Sequence, residues 1–235
     1  MSIQVTNLSK IYGAQRAIDG ISFNLKPGEI VGFLGPNGAG KSTTMKILTG
    51  YLQPTSGTAR IAEFDVLEQP MQARRTIGYL PEHNPLYLDM YVREFLLFSG
   101  KLYGLGGDSL TQRVNEMVTM CGLEAEKHKK IGQLSKGYRQ RVGLAQSFLH
   151  DPSVLILDEP TTGLDPNQIL EIRELIRTAG KNKTVLFSTH IMQEVEALCD
   201  RVIIINKGKV VSDSSLVDLS RTGGSLEDIF RKLTS

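Results

Sequence analysis

The sequence predicts an α/β core joined to an antiparallel β layer and interrupted by a helical insertion. Three observations predict it. Near the amino terminus apolar and polar residues alternate with a period of two. A short apolar strand, a glycine-rich loop and a helix then follow one another directly. After a stretch of helical spacing from about Glu82 to His150, strands and helices alternate through the last third of the chain.

Ile3 to Tyr12 and Ile21 to Leu25 read as antiparallel strands with one solvated face, and Lys26-Pro27-Gly28 turns the chain. Glu29 to Leu34 reads as a buried strand, Gly35 to Gly40 as a loop, and Ser42 to Leu48 as a helix closed by Gly50. Pro54-Thr55-Ser56-Gly57 reads as a further hairpin. In the insertion, Val92, Phe95, Leu96 and Leu102 make one apolar stripe, and Val114, Met117 and Val118 another. Beyond Pro152, strand Val154 to Leu157 precedes helix Gln168 to Thr178, and strand Thr184 to Ser188 precedes helix Met192 to Leu198. Val202 to Asn206 and Gly208 to Val211 read as a closing hairpin, and Leu226 to Leu233 as a final amphipathic helix. No repeat or long linker intervenes. The expectation is one domain over residues 1–235, with core and β layer at about 1–81 and 152–235 and a helical subdomain at about 82–151.

A chain of 235 residues with 40% hydrophobic content can bury a core without disulfide or metal. Cys121 and Cys199 lie far apart with no C-x-x-C pattern, which reads as two reduced thiols in a cytosolic compartment. A formal charge of +2, with both signs mixed along the chain, gives no electrostatic basis for a nucleic-acid partner. The start, MSIQVTNLSK, lacks the apolar segment of a signal peptide, and no run reaches the roughly eighteen apolar residues of a membrane span. A soluble protein is expected, one that works at a membrane only through another chain's helices.

The chemistry begins at Gly35-Pro36-Asn37-Gly38-Ala39-Gly40-Lys41-Ser42, which fits the P-loop pattern between a strand and a helix. Glycines let successive backbone N–H groups curl around phosphate oxygens, and the helix start adds its positive dipole end. Lys41 supplies a point charge to the β- and γ-phosphates and Ser42 an oxygen to Mg²⁺; Thr43 completes the nucleotide-binding run. A glycine turn that binds nothing is the plain alternative, and the flanking strand and helix argue against it. Val154-Leu-Ile-Leu-Asp158-Glu159 is an apolar strand ending in two carboxylates, where ligands of open α/β sheets gather. Asp158 is expected to hold Mg²⁺, and Glu159 to polarise the attacking water as general base, unless it serves a structural ion pair. Ser135, ahead of an apolar-periodic helix, has N-cap chemistry, and Gly137 leaves backbone N–H groups accessible. Capping alone is the simpler reading of Leu134-Ser135-Lys136-Gly137-Tyr138 taken in isolation.

In this order, however, the residues resemble the ABC ATPases, with Ser135 to Tyr138 similar to their signature motif. The resemblance implies a RecA-like P-loop ATPase core carrying the antiparallel layer and helical subdomain. It also implies that Tyr12 stacks on adenine, though a buried structural tyrosine would read the same. Thr162-Gly163-Leu164-Asp165 is similar to the D-loop that touches a partner subunit, with Asp165 its acidic residue. His190, at the end of Val185-Leu-Phe-Ser-Thr, matches the switch histidine near the γ-phosphate. Glu82 stands where the family usually has glutamine, and Lys136 and Tyr138 replace its commoner glycine and glutamine.

The implied cycle clamps ATP and Mg²⁺ between Lys41 of one cassette and Ser135 of another, in a homodimer or with a close relative. Closure would move integral membrane permease chains, placing this chain on the cytoplasmic, inner face of the cell membrane. The wording Ile77-Gly-Tyr-Leu-Pro-Glu-His-Asn-Pro-Leu-Tyr, with Leu-Ser-Lys-Gly-Tyr-Arg-Gln-Arg, looks closest to exporter-type subunits and, among these, to the gliding-motility ATP-binding component. Two rivals remain. A GTPase would carry Asn-Lys-x-Asp, but Asn206-Lys-Gly-Lys209 lacks the aspartate. A non-transport ABC-class ATPase acting on nucleic acid would carry a long coiled coil or a second cassette, and the sequence has neither.

Overall fold

A computed structural model of the chain describes residues 1–221 and 225–234. Two sheets organise it. The first is antiparallel, in the order β2 (Gln15–Leu25), β1 (Ile3–Tyr12), β4 (Ser56–Ile61), β5 (Phe64–Asp65). The second runs β10 (Lys209–Ser215), β9 (Arg201–Asn206), β3 (Ile30–Leu34), β8 (Thr184–Thr189), β7 (Val154–Asp158), β6 (Ile77–Leu80). Its pairs from β9 through β6 are parallel, and β10 closes the edge as an antiparallel hairpin with β9.

The parallel strands read as unbroken apolar runs because both their faces are covered. Leu155, Leu157, Val185, Phe187, Val202 and Ile204 join one core with the helical insertion. Their alternates Val154, Ile156, Leu186, Ile203 and Ile205 join a second core with β1, β2, β4 and α1 (Lys41–Leu48). Phe23 of the antiparallel layer meets Phe33 of β3 with ring centroids 5.5 Å apart. The period of two thus divides each strand between two cores.

The insertion comprises α3 (Val92–Leu102), α4 (Gly107–Met120), a 3₁₀ turn at Ile131–Gln133 and α5 (Lys136–Phe148). Val92, Phe95, Leu96, Val114, Met117 and Val118 are buried, but Leu102, expected in the first stripe, is 72% exposed. The stripe continues instead through Ser99 and Gly100, and a Cβ at Gly100 would sit 2.3 Å from Leu110. A small residue lets α3 approach α4, and Leu102 falls on the far side of the last turn. The expected hairpin at Pro54–Gly57 is also corrected. That stretch leads into β4, whose partner is the distant β1, Ile3 facing Ile61, while the local reversal comes at Ala62 (φ 53°) between β4 and β5. Gly57 is the specific requirement there, at φ 83° with space for no Cβ, since one would lie 2.3 Å from the Asn7 carbonyl.

Five elements go unnamed in the sequence analysis: β5, α2 (Pro70–Arg75), β6, the 3₁₀ turn and α8 (Leu216–Arg221). The remaining helices, α6 (Pro166–Ala179), α7 (Met192–Leu198) and α9 (Leu226–Thr234), fall within two residues of their expected bounds. Cys121 and Cys199 are free thiols, and burial pushes the Cys121 thiol up to about 12. Among the described residues no helix is long and apolar enough to cross a membrane.

Candidate functional site

The loop between β3 and α1 is shaped by its glycines. Gly40 has φ 109°, and a Cβ there would lie 2.6 Å from the Ala17 carbonyl; one on Gly35 would lie 2.5 Å from that of Ile205. Gly38 adopts φ 77°. Gly40 is the N-cap of α1 and offers no side chain to its first-turn amides, which leaves them to an anion. A cavity of about 440 Å³ opens over this helix start, lined by Tyr12, Asn37, Gly38, Gly40, Lys41, Ser42, Thr43, Glu82 and Glu159. Tyr12 is half exposed at its rim, with the Lys10 ammonium 5.2 Å from its ring centroid.

Lys41 is buried, at 6% exposure. Its Nζ donates to Gly35 O at 2.8 Å and Pro36 O at 3.3 Å and lies 3.4 Å from Glu159 Oε1. Beside it, Asp158 Oδ1 accepts from Ser42 Oγ at 3.2 Å and Ser188 Oγ at 2.5 Å. Burial raises the Asp158 pKa above the ordinary carboxylate value against those two hydrogen bonds, with the charges of Glu82 and Glu159 adding to the rise.

Glu159 is 7% exposed and takes the left-handed backbone conformation, φ 51°, uncommon for a residue with a Cβ. Its N–H donates to Ser188 O at 3.2 Å and Ser188 Oγ at 3.1 Å, which fixes the strained turn at the end of β7. Its Oε2 accepts from Thr162 Oγ1 at 3.0 Å and lies 2.9 Å from His190 Nδ1. The ion pair weighed as an alternative role for Glu159 is therefore present, but its partner is the P-loop lysine.

Not every expected residue reaches this cavity. Gly35, Pro36 and Ala39 do not line it, though the Gly35 and Pro36 carbonyls hold Lys41, while Asp158 joins through Ser42 and His190 through Glu159. Ser135, Lys136, Gly137, Tyr138 and Asp165 do not line it. Ser135 caps α5, its Oγ accepting from Tyr138 N at 3.3 Å, and Asp165 caps α6, accepting from Asn167 N and Gln168 N, each at 3.0 Å. These two helix starts pack together: a Cβ on Gly163 would lie 2.0 Å from Lys136 Nζ, and one on Gly137 2.7 Å from Gln168. Gln140 Nε2 of α5 donates to Pro160 O at 2.7 Å, tying the helical insertion to the loop behind Glu159. Tyr138 is partly exposed. Ser188 and Gln140 are the participants that sequence reasoning missed, and Thr162 enters that reasoning only as part of the D-loop-like run. The sequence signal of Ser188 and Thr162 is position, as polar residues near the two strand ends that carry Glu159 and His190, whereas Gln140 lies on α5 and has no such signal.

The donor set fits a nucleotide phosphate with a divalent cation. Uncapped amides and a cation suit the phosphates, while a hydroxyl and a carboxylate suffice for Mg²⁺, which takes its other ligands from water and phosphate. Comparison with known proteins agrees with this chemistry. A family model described as ABC transporter matches residues 18–162. The bacitracin transport ATP-binding protein BcrA of Bacillus licheniformis is 42% identical over 213 residues, 90% of this chain and 69% of the relative. The Nod factor export ATP-binding protein I of Paraburkholderia xenovorans (strain LB400) is 37% identical over 232 residues, 97% of this chain and 76% of the relative. Among solved structures, the ATP-binding subunit of an ABC transporter superposes with TM-score 0.91 at 32% identity, covering 100% of both chains. A dimeric ATP-binding cassette in a post-hydrolysis state with ADP and Pi gives 0.84 at 26%, over 91% of this chain and 98% of the other. On these grounds the chain belongs to the ABC transporter family, as an ATP-binding subunit that hydrolyses ATP.

Proposed function

We propose that this chain is the ATPase of an exporter, and that it drives partner membrane chains by closing head to tail on a second cassette. The observation that carries this reading is the network on Glu159. One buried carboxylate meets His190 and Lys41 at the mouth of the P-loop, with Ser42 and Asp158 adjacent. In this reading Gly38, Gly40, Lys41 and the α1 amides bind the triphosphate, and Tyr12 receives the base on its open ring face, worth about 0.5–1.5 kcal/mol. Ser42 and Asp158 hold Mg²⁺, which when bound neutralises phosphate charge. Glu159 accepts a proton from water, and His190, hydrogen-bonded to it, orients its carboxylate. Glu82 faces the same cavity and carries a carboxylate where an amide is usual.

Ser135 to Tyr138 lie off the cavity of their own chain, which supports their engaging the nucleotide of a second copy or close relative, with Asp165 near the same seam. The export direction is supported by the name of a relative concerned with Nod factor export, and a transport role also by one concerned with bacitracin transport. None of the relatives named above concerns gliding motility, and that narrower resemblance is not carried into the proposal. The unit is read as one ABC domain, with its core and β layer at about residues 1–81 and 152–235 and its helical subdomain at about 82–151. It would sit on the cytoplasmic face through its permease. Affinity purification from membranes should recover an integral membrane chain with it. Recovery of this chain alone from gently solubilised membranes would count against the reading.

The permease contact is placed on the face around Tyr87 and Leu88, which are 56% and 51% exposed. Tyr87 packs edge-on to Phe95 and Phe98, centroids 6.0 and 5.8 Å away, beside a cavity of about 570 Å³ between the two subdomains. Tyr87→Ser with Leu88→Ser is expected to abolish transport by the assembled complex while basal ATPase stays within about twofold. Parallel loss of folding and basal turnover would show instead that these side chains only complete the subdomain's own packing.

A further inference from the structure

A buried acid outside the reacting constellation joins its two halves. Glu194, in the first turn of α7, is 1% exposed. One carboxylate oxygen accepts from the Thr161 hydroxyl, and the other from the Thr189 hydroxyl at 2.5 Å. Thr161 follows Glu159 by two residues, and Thr189 immediately precedes His190. Thr189 Oγ1 also accepts from Ile191 N at 3.0 Å, so its hydroxyl braces the backbone on the far side of His190. The Thr161 carbonyl accepts from Leu164 N at 3.2 Å, which closes the turn that leads away from Glu159.

A carboxylate held this deep without a basic partner among the described residues is unfavourable in an apolar interior unless its hydrogen bonds hold it in place. Its geometry gives it a use. The strand ends of β7 and β8 carry Glu159 and His190, and their 2.9 Å contact depends on how far apart the two following turns stand. Glu194 spans those turns with one rigid carboxyl plane. We propose that Glu194 is a positioning residue that sets the Glu159–His190 geometry by holding Thr161 and Thr189 at a fixed separation. The proposal rests on the roles given above to Glu159 and His190.

The test is steady-state ATPase kinetics on the full chain, with ATP affinity and Tm measured alongside. Glu194→Asp keeps the charge and both acceptors but is one methylene shorter. It is expected to lower kcat about 10- to 100-fold through misplacement of the reacting groups, with KM and Kd for ATP within about twofold. Thr161→Val with Thr189→Val removes the two donors at nearly unchanged volume, together with the acceptor for Ile191 N, and should lower kcat at least as far. Adding Glu194→Asp to the pair should lower kcat by less than about twofold more, because both changes break one linkage. Turnover within about twofold of the parent in Glu194→Asp and in the valine pair overturns the proposal, as does a loss confined to Tm or shared equally by Kd and kcat. Glu159→Gln is the reference. If it hydrolyses at the parent rate, the catalytic reading itself fails; if it is inactive while the Glu194 variants are not, only the positioning role fails.

Discussion

Glu159→Gln is expected to lower ATP turnover by about 10²–10⁴-fold, the range of a positioned general base, while ATP still binds and holds two cassettes together. The substitution is nearly isosteric, so the buried turn at the end of β7 should survive. The backbone N–H bonds to Ser188 do not involve the side chain, and an amide can still accept from Thr162 and engage His190. Lys41 loses a counter-charge 3.4 Å away but keeps two carbonyl acceptors. What the amide cannot do is take a proton from water at neutral pH. Single-turnover hydrolysis and size exclusion in the presence of ATP would measure both halves of the expectation. Hydrolysis near the parent rate would show that Glu159 is not the base.

Lys41→Ala should act earlier, on binding. A hydrogen bond to a charged group contributes about 1.5–3 kcal/mol, so loss of the ammonium is expected to weaken ATP binding by about 10- to 100-fold or more, and turnover should fall at least as far. The substitution also leaves Glu159, at 7% exposure, without its cation. Some loss of Tm should therefore accompany the loss of affinity, because an uncompensated buried charge is destabilising. Calorimetric titration with ATP separates the two effects, since it reports affinity at a temperature where the variant is folded. Full affinity together with full turnover would remove the electrostatic basis of the proposed function.

Much of the fold could be read because its determinants are local. Unbroken apolar runs such as Val154 to Leu157 mark strands covered on both faces, and the glycine spacing from Gly35 to Gly40 marks a loop that needs close backbone approach. What escaped depends on distant partners. Pro54 to Gly57 announces a change of direction, but nothing nearby tells that β4 will pair with β1. The strand Ile77–Leu80 is short, and its Gly78 signals a loop until the contact is seen: a Cβ there would lie 2.1 Å from the Ser147 carbonyl of α5. Leu102 has the composition of a core residue and the wrong angular position.

The site divides the same way. The residues proposed for phosphate and water stand in spaced motifs, whereas Ser188, Thr161 and Glu194 are ordinary polar residues whose importance arises only where two strand ends converge. Two helix starts with anion-binding chemistry can be found by reading along the chain, but only the structure shows that Ser135 does not line the cavity over Lys41 of its own subunit.

The sheltered position of the Lys41 ammonium has a thermodynamic consequence. Three oxygens surround it, and almost none of it meets solvent. An arriving phosphate therefore meets a cation that folding has already drawn largely out of solvent and surrounded with oxygens. Mobile salt ions screen charges in so sheltered a place only weakly, and the contribution of this one ammonium to the grip on the nucleotide should vary correspondingly little with monovalent salt.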